Sequence, residues 1–227
     1  MGKSDEWLDP VCLGFEPTEY DALEKAVIQK ASTENGRFAV KLFPRHLRWS
    51  KEKFGKDFLF EIRKKHELGI ILLERRDRVR QAISFYRARM SGLWTFRDQG
   101  RKQPIPYDFA GICQAYFQIE QSYTFWKAYL NLSELDFRLF YYEDMLEDSQ
   151  PYIEAVAGFL DISAPEATPV SDLRIQRDSL TEDWSARFRE DATAKGAAEA
   201  LQEMPVARTL SNLARFTLKR PLNRKRF

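Results

Sequence analysis

The chain is poor in the residues that build metal and redox centres. It has two cysteines, Cys12 and Cys113, and two histidines, His46 and His66, in 227 residues. Neither a CxxC pair nor a histidine cluster is present, so the sequence offers no zinc or iron centre. Two lone thiols in a chain of this size read as reduced residues of a cytosolic protein. Apolar runs are short as well, and none approaches the roughly 18 residues that a membrane-crossing helix needs. The opening MGKSDEW lacks the basic and apolar regions of a secretory leader. These absences set the expectation of a soluble, cytoplasmic protein. Charge of one sign is also missing overall: a net +2 gives no support to nucleic-acid binding as the main task.

One local bias stands out. Between Pro205 and Phe227 there are seven basic residues (Arg208, Arg215, Lys219, Arg220, Arg224, Lys225, Arg226) and no acid. The segment reads as a solvated tail, or else as a peripheral contact with an anionic membrane surface or a lipid-linked acceptor. The remainder is ordinary globular sequence: the chain is 44% hydrophobic and 31% charged. It is long enough for one α/β domain with a full core. The expected organisation is a domain over residues 1–204 and a basic helix or tail over 205–227.

Periodicity predicts a helix from Pro17-Thr18 to a stop at Asn35-Gly36, then a short strand over Arg37–Leu42 ended by Pro44. Residues 46–66 are basic and aromatic and read as helical. They lead into an apolar strand at 69–74, a helix over 78–92 and a polar loop. A long helix starts at Tyr107-Asp108, with Asp108 as its N-cap, and runs through Leu130. A strand over Phe137–Tyr142, a helix over 143–160 and two more helices at 180–202 and 205–217 complete the pattern. Strands alternating with long helices predict a parallel sheet with helices on both faces.

The stretch GIILLERRDRVRQAISFYRARMSGLW, Gly69–Trp94, carries the most information. A strand that empties into a helix N-terminus presents unsatisfied backbone N–H groups. With arginines beside them, they suit a phosphate or sulfate. A buried strand with solvated charge at its end would give the same pattern. Identity adds more. Arg76 and Ser84 lie eight residues apart, and Arg75, Arg76, Asp77, Val79, Gln81, Ala82, Ser84, Arg87, Ala88, Gly92 and Trp94 form the string RRDxVxQAxSxxRAxxxGxW. This string resembles the bacterial sulfotransferases of the trehalose 2-sulfotransferase family. The resemblance implies a P-loop-like sulfotransferase fold and, as co-substrate, 3′-phosphoadenosine-5′-phosphosulfate (PAPS), with Arg76 and Ser84 holding its 3′-phosphate.

Further segments fit the same family. GKSDEWL resembles the segment whose glutamate is that family's catalytic base, which implies this role for Glu6. An acceptor hydroxyl must lose its proton as it attacks sulfur, and a carboxylate in hydrogen-bond reach can take it. NGRFAVKL, Asn35–Leu42, resembles NGxxGxKLxW and implies that Lys41 faces the transferring sulfuryl group, offsetting the charge that builds on the leaving oxygen. Cytosolic sulfotransferases carry a histidine base two residues after this lysine; Phe43 stands there, which favours a carboxylate over His46. FYYEDMLED, Phe140–Asp148, matches a YEDM-type segment and implies an adenine contact from Tyr142, with Glu143 and Asp144 at a helix start. LRIQRDSLTEDWSARFRED resembles LxRQxDxxSxEWxxRYRxD, which brings in Gln176 as a cofactor contact, although the family arginine falls on Ile175. Trp94 and Trp184 also match family positions and read as packing aromatics.

The resemblance spans about residues 2–191 but does not include the Ser-Gly-Ser-Thr type loop that grips the 5′-phosphosulfate. Gly2-Lys3-Ser4 is no substitute, because the first glycine of GxxxxGK[ST] is missing. On this reading the sequence is an N-terminally truncated form, by a late start or a shortened gene, with an altered protein that closes its sheet another way as the alternative. The implied function is sulfuryl transfer from PAPS to a hydroxyl of a sugar or glycolipid, without a metal and with a homodimer as the family's assembly. Two alternatives stay open: an inactive relative that binds a nucleotide or glycan, and another nucleotide-dependent transferase of kinase type.

Overall fold

A computed structural model describes residues 5–94, 104–165 and 179–195. In chain order the described elements are α1 (Pro10–Leu13), α2 (Tyr20–Ala31), α3 (Pro44–Phe54), α4 (Phe58–Arg63), β1 (Ile70–Glu74), α5 (Arg78–Ser91) and α6 (Phe109–Leu132). These are followed by β2 (Phe137–Tyr141), α7 (Tyr142–Glu147), α8 (Ser149–Phe159) and α9 (Ser179–Lys195). β1 and β2 pair in parallel, with Ile70 opposite Phe137 and Glu74 opposite Tyr141. Both strands therefore end at the same edge. Among the described residues this two-stranded ladder is the sheet, so the fold is a mixed α/β one with a small parallel sheet.

The chain divides into two compact units, Met1–Glu74 with Gln121–Thr168, and Arg75–Glu120 with Pro169–Phe227. In the first, Leu23 and Val27 of α2, Leu47 of α3, Phe58 and Ile62 of α4, Leu72 of β1 and Leu130 of α6 share one apolar core. In the second, Ala82, Ile83 and Tyr86 of α5 pack with Ile112 and Ala115 of α6 and with Trp184 and Phe188 of α9. Each fully buried aliphatic or phenyl side chain contributes about 1.5–3 kcal/mol.

Two expected helices are each broken in two, and local chemistry explains both breaks. Gly55 takes a left-handed φ of 69° and its N–H bonds the Lys51 carbonyl, which closes α3. Asp57 then caps α4, its carboxylate accepting the N–H groups of Leu59 at 3.0 Å and Phe60 at 3.4 Å. Over 143–160 the break comes at Asp148, which is extended (φ −151°, ψ 117°) and caps α8 by accepting the Gln150 N–H. Pro151 explains it. In a continuous helix its ring would strike the carbonyl of residue 147, whereas in the first turn of α8 its missing N–H costs nothing.

The expected strand over Arg37–Leu42 is corrected to two isolated bridges. Phe38 pairs antiparallel with Ser32, and Val40 pairs parallel with Asp5. Each neighbour offers a single residue of contact in opposite senses, so no ladder propagates. The first predicted helix begins later than its proline, at Tyr20. The expected helix at 205–217 and the rest of the basic tail lie outside the described residues, as does the end of the helix expected over 180–202.

No described helix is long and apolar enough to cross a membrane. Beyond capping α4, Asp57 also accepts the Tyr129 hydroxyl at 2.8 Å from α6, and burial together with this carboxylate pushes the phenol pKa up. Asp57→Ala should therefore lower the urea-unfolding free energy by about 2 kcal/mol, a cap plus a buried hydrogen bond. Asp57→Asn should recover most of that, and a loss under about 0.5 kcal/mol for the alanine variant would contradict the assignment.

Candidate functional site

A cluster of charged side chains in the first unit forms where the N-terminal segment meets the approach to α3. The Asp5–Val40 bridge, reinforced by the Lys41 N–H donating to the Asp5 carbonyl at 3.0 Å, lays the two segments side by side. Glu6 and Lys41 follow directly on these partners. The Lys41 ammonium donates to Glu6 Oε1 at 3.1 Å, and the Arg45 guanidinium donates to Oε2 at 2.6 Å. Arg45 also lies 3.8 Å from the Asp9 carboxylate, which caps α1 through the Val11 N–H. Both cations stack against Phe43, Lys41 at 5.0 Å and Arg45 at 4.9 Å from the ring centre.

His46 stands behind this group. It is only 3% exposed, and its Nδ1 accepts the Phe43 N–H at 3.2 Å. This is the backward reach that a glutamate makes in a capping box. With Nδ1 acting as acceptor, a neutral ring carries its proton on Nε2. That nitrogen lies 3.8 Å from Glu6 Oε2. Burial, helped by the adjacent Arg45, lowers the imidazole pKa to about 4. The imidazole is enclosed on the side away from solvent and presents no open face to a hydroxyl.

Glu6, Asp9 and His46 are also the described residues whose ligand atoms come close enough for a metal, within 4.8 Å of one another. The donor set does not favour one. Lys41 and Arg45 already sit on the Glu6 carboxylate, and a cation would have to displace positive charge to bind.

In the second unit, Arg76 precedes α5 and is exposed, and Ser84 is exposed two turns into that helix. The helix start differs from the expected open cluster of amides. Asp77 caps it, its carboxylate accepting the Arg80 N–H at 3.0 Å, and the Arg78 N–H is taken by the Arg76 carbonyl. Arg80 and Arg189 add cations 3.4 and 3.8 Å from the Asp77 carboxylate. An anion held here would be gripped by side chains, not by the helix terminus. Arg87, another member of the string, donates to the Thr181 hydroxyl of α9 at 2.8 Å and so ties α5 to α9.

Tyr142 opens α7 at the end of β2 and is half-buried. The structure therefore brings Glu6 and Lys41 together in one unit, while Arg76 and Ser84 belong to the other. Gln176 lies outside the described residues. Trp184 is a core residue, edge-on to Tyr107 at 5.6 Å. Trp94 is not, being 58% exposed with a tilted contact to Phe85 at 5.7 Å. Sequence reading missed Arg45. Its signal was available: four residues beyond Lys41 at a helix start marked by Pro44, it belongs to the same turn of chain.

The buried imidazole has a pH consequence. Its ordinary pKa of 6.5 falls to about 4 in the fold, so between these values the unfolded chain takes up a proton that the folded one refuses. Stability is lost as pH drops from 6.5 towards 4. The loss reaches about 3 kcal/mol, and this group has no effect above about pH 7. Urea midpoints should fall more steeply across this window for the native chain than for His46→Gln; parallel profiles would contradict the assignment.

Among curated proteins the search finds no match. A model of the family described as Stf0 sulphotransferase matches residues 3–191, a span that contains Glu6, Lys41, Arg76, Ser84 and Tyr142. The chain belongs to the Stf0 sulphotransferases, the trehalose 2-sulfotransferase family, whose reaction class is sulfuryl transfer.

Proposed function

We propose that this chain transfers a sulfuryl group from PAPS to a hydroxyl of a carbohydrate or glycolipid acceptor. The observation that carries the reading is the Glu6–Lys41 pair, a carboxylate and an ammonium 3.1 Å apart on segments that both match the family. The residues present suit such a donor. Arg76 offers an exposed guanidinium able to grip a phosphate with two hydrogen bonds, and Ser84 an exposed hydroxyl. Tyr142 is the proposed adenine contact, and Gln176 a second cofactor contact.

PAPS supplies an activated sulfuryl group on a phosphate leaving group. Glu6 takes the acceptor proton on Oε1, and the freed electron pair of that hydroxyl oxygen forms the bond to sulfur. Lys41 donates to the oxygen that keeps the electron pair of the breaking sulfur–oxygen bond. In the resting structure Lys41 occupies Oε1, so it must turn from the carboxylate to the incoming anion. Its side chain is 55% exposed. A solvated pair of this kind separates at small cost. The same movement uncovers the oxygen that has to accept the proton. A peripheral membrane contact through residues 205–227 and a homodimer belong to this proposal as its spatial setting.

Calorimetry with 3′,5′-adenosine bisphosphate and turnover with PAPS test it together. Arg76→Ala should weaken nucleotide binding about 10- to 100-fold, the loss of a charge-assisted pair. Glu6→Gln should bind normally and lose about 100-fold or more in kcat. Nucleotide binding without any PAPS turnover would favour the inactive relative. Turnover that required ATP and Mg²⁺ and ignored PAPS would favour the kinase-type reading.

A further inference from the structure

The two oxygens of Glu6 are held differently. Oε1 meets Lys41, a half-exposed cation, whereas Oε2 meets Arg45 at 2.6 Å and faces His46 at 3.8 Å. The imidazole cannot drift. It is 3% exposed, fixed through Nδ1 to the backbone of Phe43, and edge-on to the Phe43 ring at 5.6 Å. Its Nε2 is buried with no hydrogen-bond partner in the resting structure. A buried donor left without an acceptor costs free energy, so the fold gains whenever Oε2 moves within reach. About 1 Å of carboxylate rotation would bring it there, and long hydrogen bonds of this kind tighten when substrate binds.

We propose that His46 is a positioning residue for Glu6, its Nε2–H anchoring Oε2 so that Oε1 faces the acceptor hydroxyl. The proposal rests on the base role given to Glu6 above. The moment of need is the departure of Lys41 towards the sulfuryl donor. The carboxylate then loses one of its two cations and could swing freely on its side chain. An imidazole that stays neutral serves better here than a third cation, because it orients the carboxylate without adding a full positive charge to the group that must accept a proton. The charged groups facing the ring are Glu6 and Asp9 from the N-terminal segment and Lys41 and Arg45 from the approach to and first turn of α3. Their opposed charges largely offset one another, and burial keeps the ring uncharged through the neutral range.

The test uses the full chain with His46→Leu, His46→Gln and Glu6→Gln. Leucine fills the space without a donor, while glutamine restores an N–H at the same reach. His46→Leu should lower kcat about 10- to 100-fold with KM values for PAPS and acceptor within about twofold, and His46→Gln should stay within about threefold of the native chain. A native kcat in His46→Leu, alongside a dead Glu6→Gln, would overturn the positioning role and leave the base role standing. Full activity of Glu6→Gln would overturn both. A measurement free of turnover runs in parallel: long-range ¹H–¹⁵N spectra of the imidazoles, assigned by the loss of one set in His46→Gln. The expected result is the Nε2–H tautomer and a titration midpoint near 4 that moves lower in Glu6→Gln. An Nδ1–H tautomer, or a midpoint indifferent to Glu6→Gln, would overturn the proposal even if His46→Leu failed to fold.

Discussion

The parallel pairing of β1 with β2 is the constraint on which the remaining organisation depends. Two strands of five residues each cannot be joined by a tight turn when they run the same way, so the chain must leave the edge at Glu74 and return at Phe137. Residues 75–136 make that crossing, and they carry α5 and α6 with them. Because the register sets Glu74 beside Tyr141, the two strands end together. Arg75 and Arg76 follow one strand in sequence and Tyr142 the other. Arg76 and Tyr142 both follow strands in the chain, and both became candidate nucleotide contacts through the family resemblance.

A second constraint is the cost of burying charge, and it separates buried ion pairs from solvated ones. Glu74 is 2% exposed at the end of β1 and forms an ion pair with Lys127 of α6 at 2.9 Å. Desolvating that carboxylate makes its pairing obligatory, so Glu74 and Lys127 hold the strand end to the helix. Glu24, also buried, meets Lys65 at 2.7 Å in the same manner. Glu6 differs. Its partners Lys41 and Arg45 are more than half exposed, and water competes for them continuously.

Sequence reading found what local periodicity and short motifs encode. The apolar run at Ile70–Leu73, the helix behind Asp77 and the long helix from Phe109 to Leu132 were all legible, because each carries its own period. Glu6 and Lys41 were legible only through resemblance. Their meeting depends on a single bridge between Asp5 and Val40, a contact between segments distant in sequence that no local pattern announces. The helix breaks at Gly55 and Asp148 were signalled by a glycine, by two capping aspartates and by Pro151, but each signal is one residue within an otherwise helical composition. Capping by Asp77 was hidden for the opposite reason. The arginines around it suggest an anion site, and the side chain that fills the helix terminus is an anion already.

The different hold on the two Glu6 oxygens follows from these same energies. A proton acceptor needs one oxygen open and the whole group fixed in direction, and a carboxylate has enough lone pairs to satisfy both demands only if the fixing is done from one side. The exposed Lys41, 3.1 Å from Oε1, can be drawn off by a more highly charged ligand. A solvated ion pair is worth little in water. Arg45 is equally exposed but is tied twice, to Oε2 and to within 3.8 Å of Asp9, so removing it breaks two contacts. His46 is the one partner that solvent does not reach. On the proposed roles, one exposed cation, one doubly tied cation and one buried neutral donor would let the carboxylate open on a single side, the side that an acceptor hydroxyl would approach.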